Sequence, residues 1–206
     1  MAPRVSEEHL QRRRADILNA ATNVFMEKGY ENTTMKHIME AAGVSRGGLY
    51  QYFANKEDLF EALLEEGLHE EATNIEQLMK SSDSHWGLLM EMMFGKSRNP
   101  DAKMDPLAAS KLEFFITGRN DDRRRAYGQK RYKLGVRLYA DVIKAGQDAG
   151  EFSDRHDHEL LAKSIITFID GLALDDAILP EDEVQIEKQS KLFVEYLKMA
   201  LEVQEI

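Results

Sequence analysis

The stretch "GVSRGGLYQYFANKEDLF", residues 43 to 60, gathers Ser45, Arg46, Gly47, Gly48, Tyr50, Tyr52 and Lys56 around one short predicted helix and the start of the next. The chemistry these side chains suit is anion and base-edge recognition. Arg46 carries the planar donor fork that matches a guanine edge. The two tyrosine hydroxyls donate to phosphate, and Lys56 adds a point charge. Two adjacent glycines each cost about 1 kcal/mol against alanine in a helix interior, a penalty that acquires a reason where the backbone must come close to a ligand. Other constellations are weaker. Glu66 and His69 of "EGLH" have the spacing used by carboxylate-bridged metal bundles, but no second copy follows. His156 and His158 are two apart and point to different sides of a helix. The absence of cysteine excludes thiolate metal sites, disulfides and cysteine nucleophiles. No phosphate loop after a strand and no nucleophile elbow appears. The residue types therefore favour a binding protein over an enzyme, with no cofactor and no metal.

These residues need elements to position them, and the hydrophobic spacing predicts helices throughout. Ile17, Ala20, Ala21, Val24 and Phe25 mark a buried helical face that closes at Gly29. "TTMKHIMEAAG" reads as a short second helix with threonine caps and Gly43 as its stop. Ser45 caps a third, running to about Phe53, and Lys56 opens a fourth striped by Leu59, Phe60, Leu63, Leu64 and Leu68. Trp86, Leu89, Met90, Met93 and Phe94 share a face of a fifth. Further helices are predicted at about 105 to 118, 121 to 149, 155 to 178 and 183 to 203, with Asp154 and Glu181 as acidic caps and Gly150 and Pro180 as punctuation. About nine helices and no strand result, an all-α chain.

With 43% hydrophobic and 31% charged residues the chain is expected to fold rather than stay disordered. No apolar run is long enough to span a bilayer, and the polar start lacks a signal-peptide core, so a cytoplasmic protein without a membrane partner is expected. The formal charge of −10 is uneven: residues 1 to 56 carry eight Lys/Arg against six Asp/Glu, leaving −12 for the remainder. A polyanion partner is thus compatible with the first quarter only. Two short helices joined by a Gly-containing turn, with a third before them, form a helix-turn-helix whose second helix enters the major groove by its N-terminal end. On spacing alone, a turn followed by an ordinary packed helix fits almost as well.

The run "ILNAATNVFMEKGYENTTMKHIMEAAGVSRGGLYQYFANKEDLFEALL", residues 17 to 64, resembles the DNA-binding region of TetR-family transcriptional regulators. "RNDDRRRAYGQKRY" and "PRVSEEH" further resemble its YfiR-like branch. The resemblance implies a homodimeric regulator, most simply a repressor, that binds a palindromic double-stranded operator and is released by a small-molecule effector. It also implies a helix-turn-helix domain at 1–56 and a larger ligand-binding and dimerisation domain at 57–206, with 57–79 as a linking helix. By motif position the DNA contacts fall on Thr34, Met35, Ser45, Arg46, Gly47, Gly48, Tyr50, Tyr52 and Lys56. Met35 stands where some members have a basic residue. Leu49 and Phe53 are assigned to packing.

In the C-terminal part, Trp86, Met90, Met93, Phe94, Phe114, Phe115, Tyr127 and Phe168 are candidate lining for an apolar or aromatic effector; such stripes are more often simply core. The basic "RNDDRRR" suits an acidic ligand or a solvated helix start. Ile165, Ile169, Leu172, Leu192, Phe193 and Tyr196 on the last two long helices resemble the family's four-helix dimer interface. A DNA-binding activator, a regulator without effector, and a helical metal protein or enzyme are the rival readings.

Overall fold

The computed structural model describes residues 7–82, 84–95, 97–98, 100 and 104–203, so the "PRVS" of the opening match lies outside the described residues. Among these, ten α-helices and no strand are present. They are α1 (Glu7–Asn32), α2 (Met35–Ala42), α3 (Arg46–Tyr50), α4 (Lys56–Ser81), α5 (His85–Phe94), α6 (Ala108–Thr117), α7 (Asp122–Asp148), α8 (His158–Ile178), α9 (Glu181–Val184) and α10 (Ile186–Leu201), with a 3-10 turn at Gly118–Asn120. None is long and apolar enough to cross a membrane.

The all-α expectation holds, with local differences. Helical geometry in α1 breaks at Gly29 (φ 76°, ψ 171°), a conformation that is essentially reserved for glycine. α3 ends at Tyr50, and Phe53 is tied back through its N–H to the Leu49 carbonyl at 3.2 Å. α8 starts at His158 with Asp157, not Asp154, as its cap; the Asp157 carboxylate accepts from Leu160 N–H at 2.8 Å. The residues before it cannot be helical because Gly150 stops α7 at φ 73° and Phe152 turns in to be buried against Gly146. The last predicted helix is split at Gln185 (φ 49°), which lets Val184 face inward with 1% exposure.

Two cores hold these helices. The first joins α1 to α4 through Ile17, Phe25, Ile38, Leu49 and Phe60, and it takes in Phe114 from α6. Phe25, Tyr30, Phe60 and Phe114 form an aromatic cluster with neighbouring centroids at 4.6 to 5.1 Å, spacing at which edge-to-face packing adds to burial. The second core, which includes Leu89, Val142, Ile143, Ile165 and Leu201, is built from α4, α5, α7, α8 and α10. α6 therefore belongs to the first core although it lies far along the chain.

Candidate nucleic-acid interface and interior cavity

Helices α2 and α3 are short, and each is started by a side-chain cap. Thr34 Oγ1 accepts from His37 N–H at 3.2 Å, while His37 Nδ1 accepts from Thr34 N–H at 3.3 Å, a reciprocal cap that satisfies two otherwise open donors. Gly43 ends α2 in the left-handed region at φ 61°. Ser45 is extended, and its Oγ accepts from Gly48 N–H at 3.1 Å. Thr34 and Ser45 thus serve the local fold as well as standing at the exposed edge.

Leu49 of α3 is fully buried and Phe53, just beyond it, is 4% exposed, the packing places expected of them. Arg46, Gly47 and Tyr50 are exposed, with the Arg46 guanidinium 5.5 Å from the Tyr50 ring centre. The two glycines differ. A Cβ at Gly47 would meet nothing within 4 Å, whereas one at Gly48 would sit 3.3 Å from Ser45 Oγ. Gly48 has a reason within the chain, and Gly47 has none. Met35 and Tyr52 are half-buried against the first core.

Lys56 is placed differently from what its charge suggested. Its ammonium donates to the Tyr30 and Glu31 carbonyls at 2.7 and 3.2 Å and lies 4.2 Å from the Tyr30 ring centre. Burial pulls its pKa below the ordinary lysine range against the pull of Glu31 and Glu57. It holds the end of α1, where helix carbonyls lack partners. α6 grips the same end from the other side: Ser110 Oγ donates to the Phe25 carbonyl at 2.8 Å, and Glu113 Oε2 accepts from Glu31 N–H at 3.0 Å.

The opposite face of α6 lines a cavity of about 550 Å³ between α4, α6, α7 and α8. Leu112, Phe115, Leu138, Ile166 and Ile169 make its apolar wall, and Lys111, Arg119, Arg124, Arg125 and Arg131 bring cations into it. Gly128 and Gly135, seven residues apart on α7, also line it, and a Cβ at Gly128 would sit 3.2 Å from the Phe115 ring. Arg124 reaches further: its guanidinium lies 4.3 Å from the Phe114 ring centre and 5.2 Å from that of Tyr30, and it donates to Thr117 Oγ1 at 3.0 Å. Of the aromatic and methionine candidates, Phe115 lines this cavity. Trp86, Met90, Met93 and Phe94 pack in the second core, and Phe114 in the first. Tyr127 donates to the Glu61 carbonyl at 3.3 Å, and Phe168 stacks on Phe193 at 3.9 Å. Arg119, Arg124 and Arg125 belong to the basic stretch that suited an acidic ligand, whereas Lys111 and Arg131 were missed in the sequence, although Arg124, Gly128, Arg131 and Gly135 already share one helical face.

Of the interface candidates, Ile165 and Leu172 are buried within the chain, Ile169 faces the cavity, and Leu192 and Tyr196 are 47% and 53% exposed. Leu174 and Ile178 of α8 and Met199 of α10 are exposed as well. Among the described residues no group of three acidic or histidine side chains is placed to hold a metal ion.

Residues 17–63 match the family model described as bacterial regulatory proteins, tetR family, and residues 97–187 the one described as tetracyclin repressor-like, C-terminal domain. The chain is 33% identical to the uncharacterized HTH-type transcriptional regulator YfiR of Bacillus subtilis, over 100% of both chains. It is 30% identical to the HTH-type transcriptional repressor Rv1474c of Mycobacterium tuberculosis, over 82% of this chain and 85% of that one. Salmonella enterica GusR superposes with a TM-score of 0.71 at 22% identity, covering 96% of this chain and 98% of that one. FadR from Bacillus subtilis in complex with stearoyl-CoA superposes at 0.64 with 21% identity, covering 89% and 96%.

Proposed function

This chain belongs to the TetR family of bacterial transcriptional regulators, and from that premise we propose that it is a repressor which leaves a palindromic operator when a small molecule enters the cavity beside α6. Residues 1–56 act as the DNA-binding unit and 57–206 as the ligand-binding and dimerisation unit, with 57–79 as the linking helix. In the groove, Arg46 reads a base edge, Gly47 and Gly48 admit close approach, and Tyr50 and Tyr52 grip phosphate. Thr34, Met35 and Ser45 complete the contact surface, and Lys56 holds the end of α1 behind it.

The observation that carries this reading is the double duty of α6. One face holds the end of α1 through Ser110 and Glu113, and the other lines the cavity through Lys111, Leu112 and Phe115. A ligand that displaces α6 therefore moves α1 and, through Lys56, the start of α4. In a dimer bound to half-sites about 34 Å apart or a multiple of it, a small tilt takes the two α3 helices out of register with successive grooves. The stearoyl-CoA held by FadR, a protein of the same fold, supports an effector with a long apolar body.

Selection of bound duplexes from a random pool, followed by operator titration against a metabolite panel, tests the proposal. A palindromic consensus and release by at least one compound are expected. Equal operator affinity with the cavity saturated and empty would end the release mechanism.

A further inference from the structure

We infer that the effector is an elongated amphiphile with an anionic end, a carboxylate or phosphate seated against Arg119, Arg124 and Arg125, with its apolar body running along α7. This rests on the reading of the cavity as the effector site and specifies its chemistry. Five cations reach the lining, against the carboxylates of Asp105 and Asp170 among the described residues. Lys111 bonds Asp105, and burial pushes the Asp170 carboxyl up, which disfavours its charge, with Arg131 and Lys111 partly offsetting this. The three remaining arginines cluster by the turn into α7. Arg125 has Asp122 as its partner at 2.6 Å, outside the lining, and Arg119 bonds the Ile116 carbonyl at 2.9 Å. Neither Arg119 nor Arg124 has a carboxylate partner in the lining; Arg124 Nη2 donates to the Phe114 carbonyl and the Thr117 hydroxyl, while its Nε is buried with no hydrogen bond among the described residues.

Guanidinium groups beside an apolar wall favour an anion, because charge-assisted and bidentate hydrogen bonds are about twice as strong as neutral ones. Further along α7, Leu138, Ile166 and Ile169 offer an apolar wall to a hydrocarbon chain. A volume of about 550 Å³ suits a ligand of that class. Arg124 also couples recognition to release. Its guanidinium faces Phe114 and Tyr30, the rings beneath the end of α1, so drawing it toward an anion disturbs the contact that seats α1 on α6.

Calorimetric titration of the full chain with laurate, dodecyl phosphate and dodecanol, each below its aggregation concentration, tests this. Either anion is expected to bind about tenfold or more tightly than the alcohol, and the leading anion identifies the headgroup. The Arg119→Gln/Arg125→Gln double variant should lose that advantage with dodecanol binding unchanged; neither side chain is buried, so the fold should survive. Gly135→Leu, which fills space beside the apolar wall, should abolish binding of all three. Dodecanol binding as tightly as the anions would overturn the anionic assignment and leave the effector cavity standing. Binding of none of the three, or binding that Gly135→Leu leaves intact, would overturn the cavity assignment as well.

Discussion

A methyl group added at position 47 would enter open space, while one added at 48 would press on the Ser45 hydroxyl that caps α3. The sequence presents the two glycines as equivalent, and only the backbone geometry separates them. Gly47→Ala should leave the fold as stable or raise stability by up to about 1 kcal/mol, yet weaken operator binding, because the methyl meets DNA rather than protein. Gly48→Ala should gain little, since the cap must shift. Thermal melts paired with operator titrations check both; a Gly47→Ala variant with full affinity would remove the close-approach role. Arg46 and Tyr50 separate in a similar way. Tyr50→Phe keeps the ring beneath the guanidinium and deletes only the hydroxyl, so affinity should fall evenly across operator variants. Arg46→Ala should instead relax preference at one base pair by roughly 1 to 3 kcal/mol. Selection on the two variants distinguishes grip from reading.

Helix ends show which elements were legible and which were not. Thr34, Ser45 and Gly43 set their ends by contacts within a few residues, so local sequence sufficed. The start of α8 depends on where Phe152 is buried and on Gln147 bonding the Ser153 and His156 carbonyls, and no pattern within 150–158 announces this. The cavity is hidden for a related reason: a helical face with Gly128 and Gly135 is identified as a wall only once α6 and α8 stand across from it. Gly29 turns the end of α1 toward α6, with the Glu113 carboxylate 2.9 Å from where a Cβ would be. Gly29→Ala should therefore destabilise by about 1 to 3 kcal/mol in urea melts from backbone strain alone. The α5 start gives a pH-dependent case. Burial pushes the Glu151 carboxyl up, but the Trp86 and His85 backbone N–H groups, with the Ser84 hydroxyl and the His85 ring, hold it below its usual 4.5. A carboxyl lowered on folding stabilises fully above its unfolded value and loses that contribution as pH falls through the folded one. Glu151→Gln should cost about 1 to 3 kcal/mol at pH 7, and its deficit against the parent should shrink below about pH 4. A deficit that stays constant down to pH 3 would show that the carboxylate charge is not what caps α5.

At the scale of the whole molecule, one chain leaves an apolar face uncovered. Leu192, Tyr196 and Met199, at the i, i+4 and i+7 positions of α10, are 47%, 53% and 66% exposed, and Leu174 and Ile178 of α8 are 41% and 66% exposed. Members of this family bind DNA as dimers, and an apolar row left open along a helix fits such an assembly. The sequence resemblance offers the last two long helices as the dimerising pair, but not which of their residues face outward, because amphipathic helices in a bundle bury apolar side chains on either side. Ile165, at 0% exposure, supports the second core, so truncating it to alanine should unfold by about 2 to 5 kcal/mol without revealing anything about assembly. Leu192→Glu/Met199→Glu places charges on the exposed face and spares both cores. Sedimentation should then report the single-chain mass of 23.6 kDa with an unchanged helical spectrum. Operator affinity should fall by about a hundredfold or more, because each half-site is then bound without the second. A double variant that stays dimeric and binds the operator at full strength would place the interface on another face and leave the exposed α8 and α10 residues without a role.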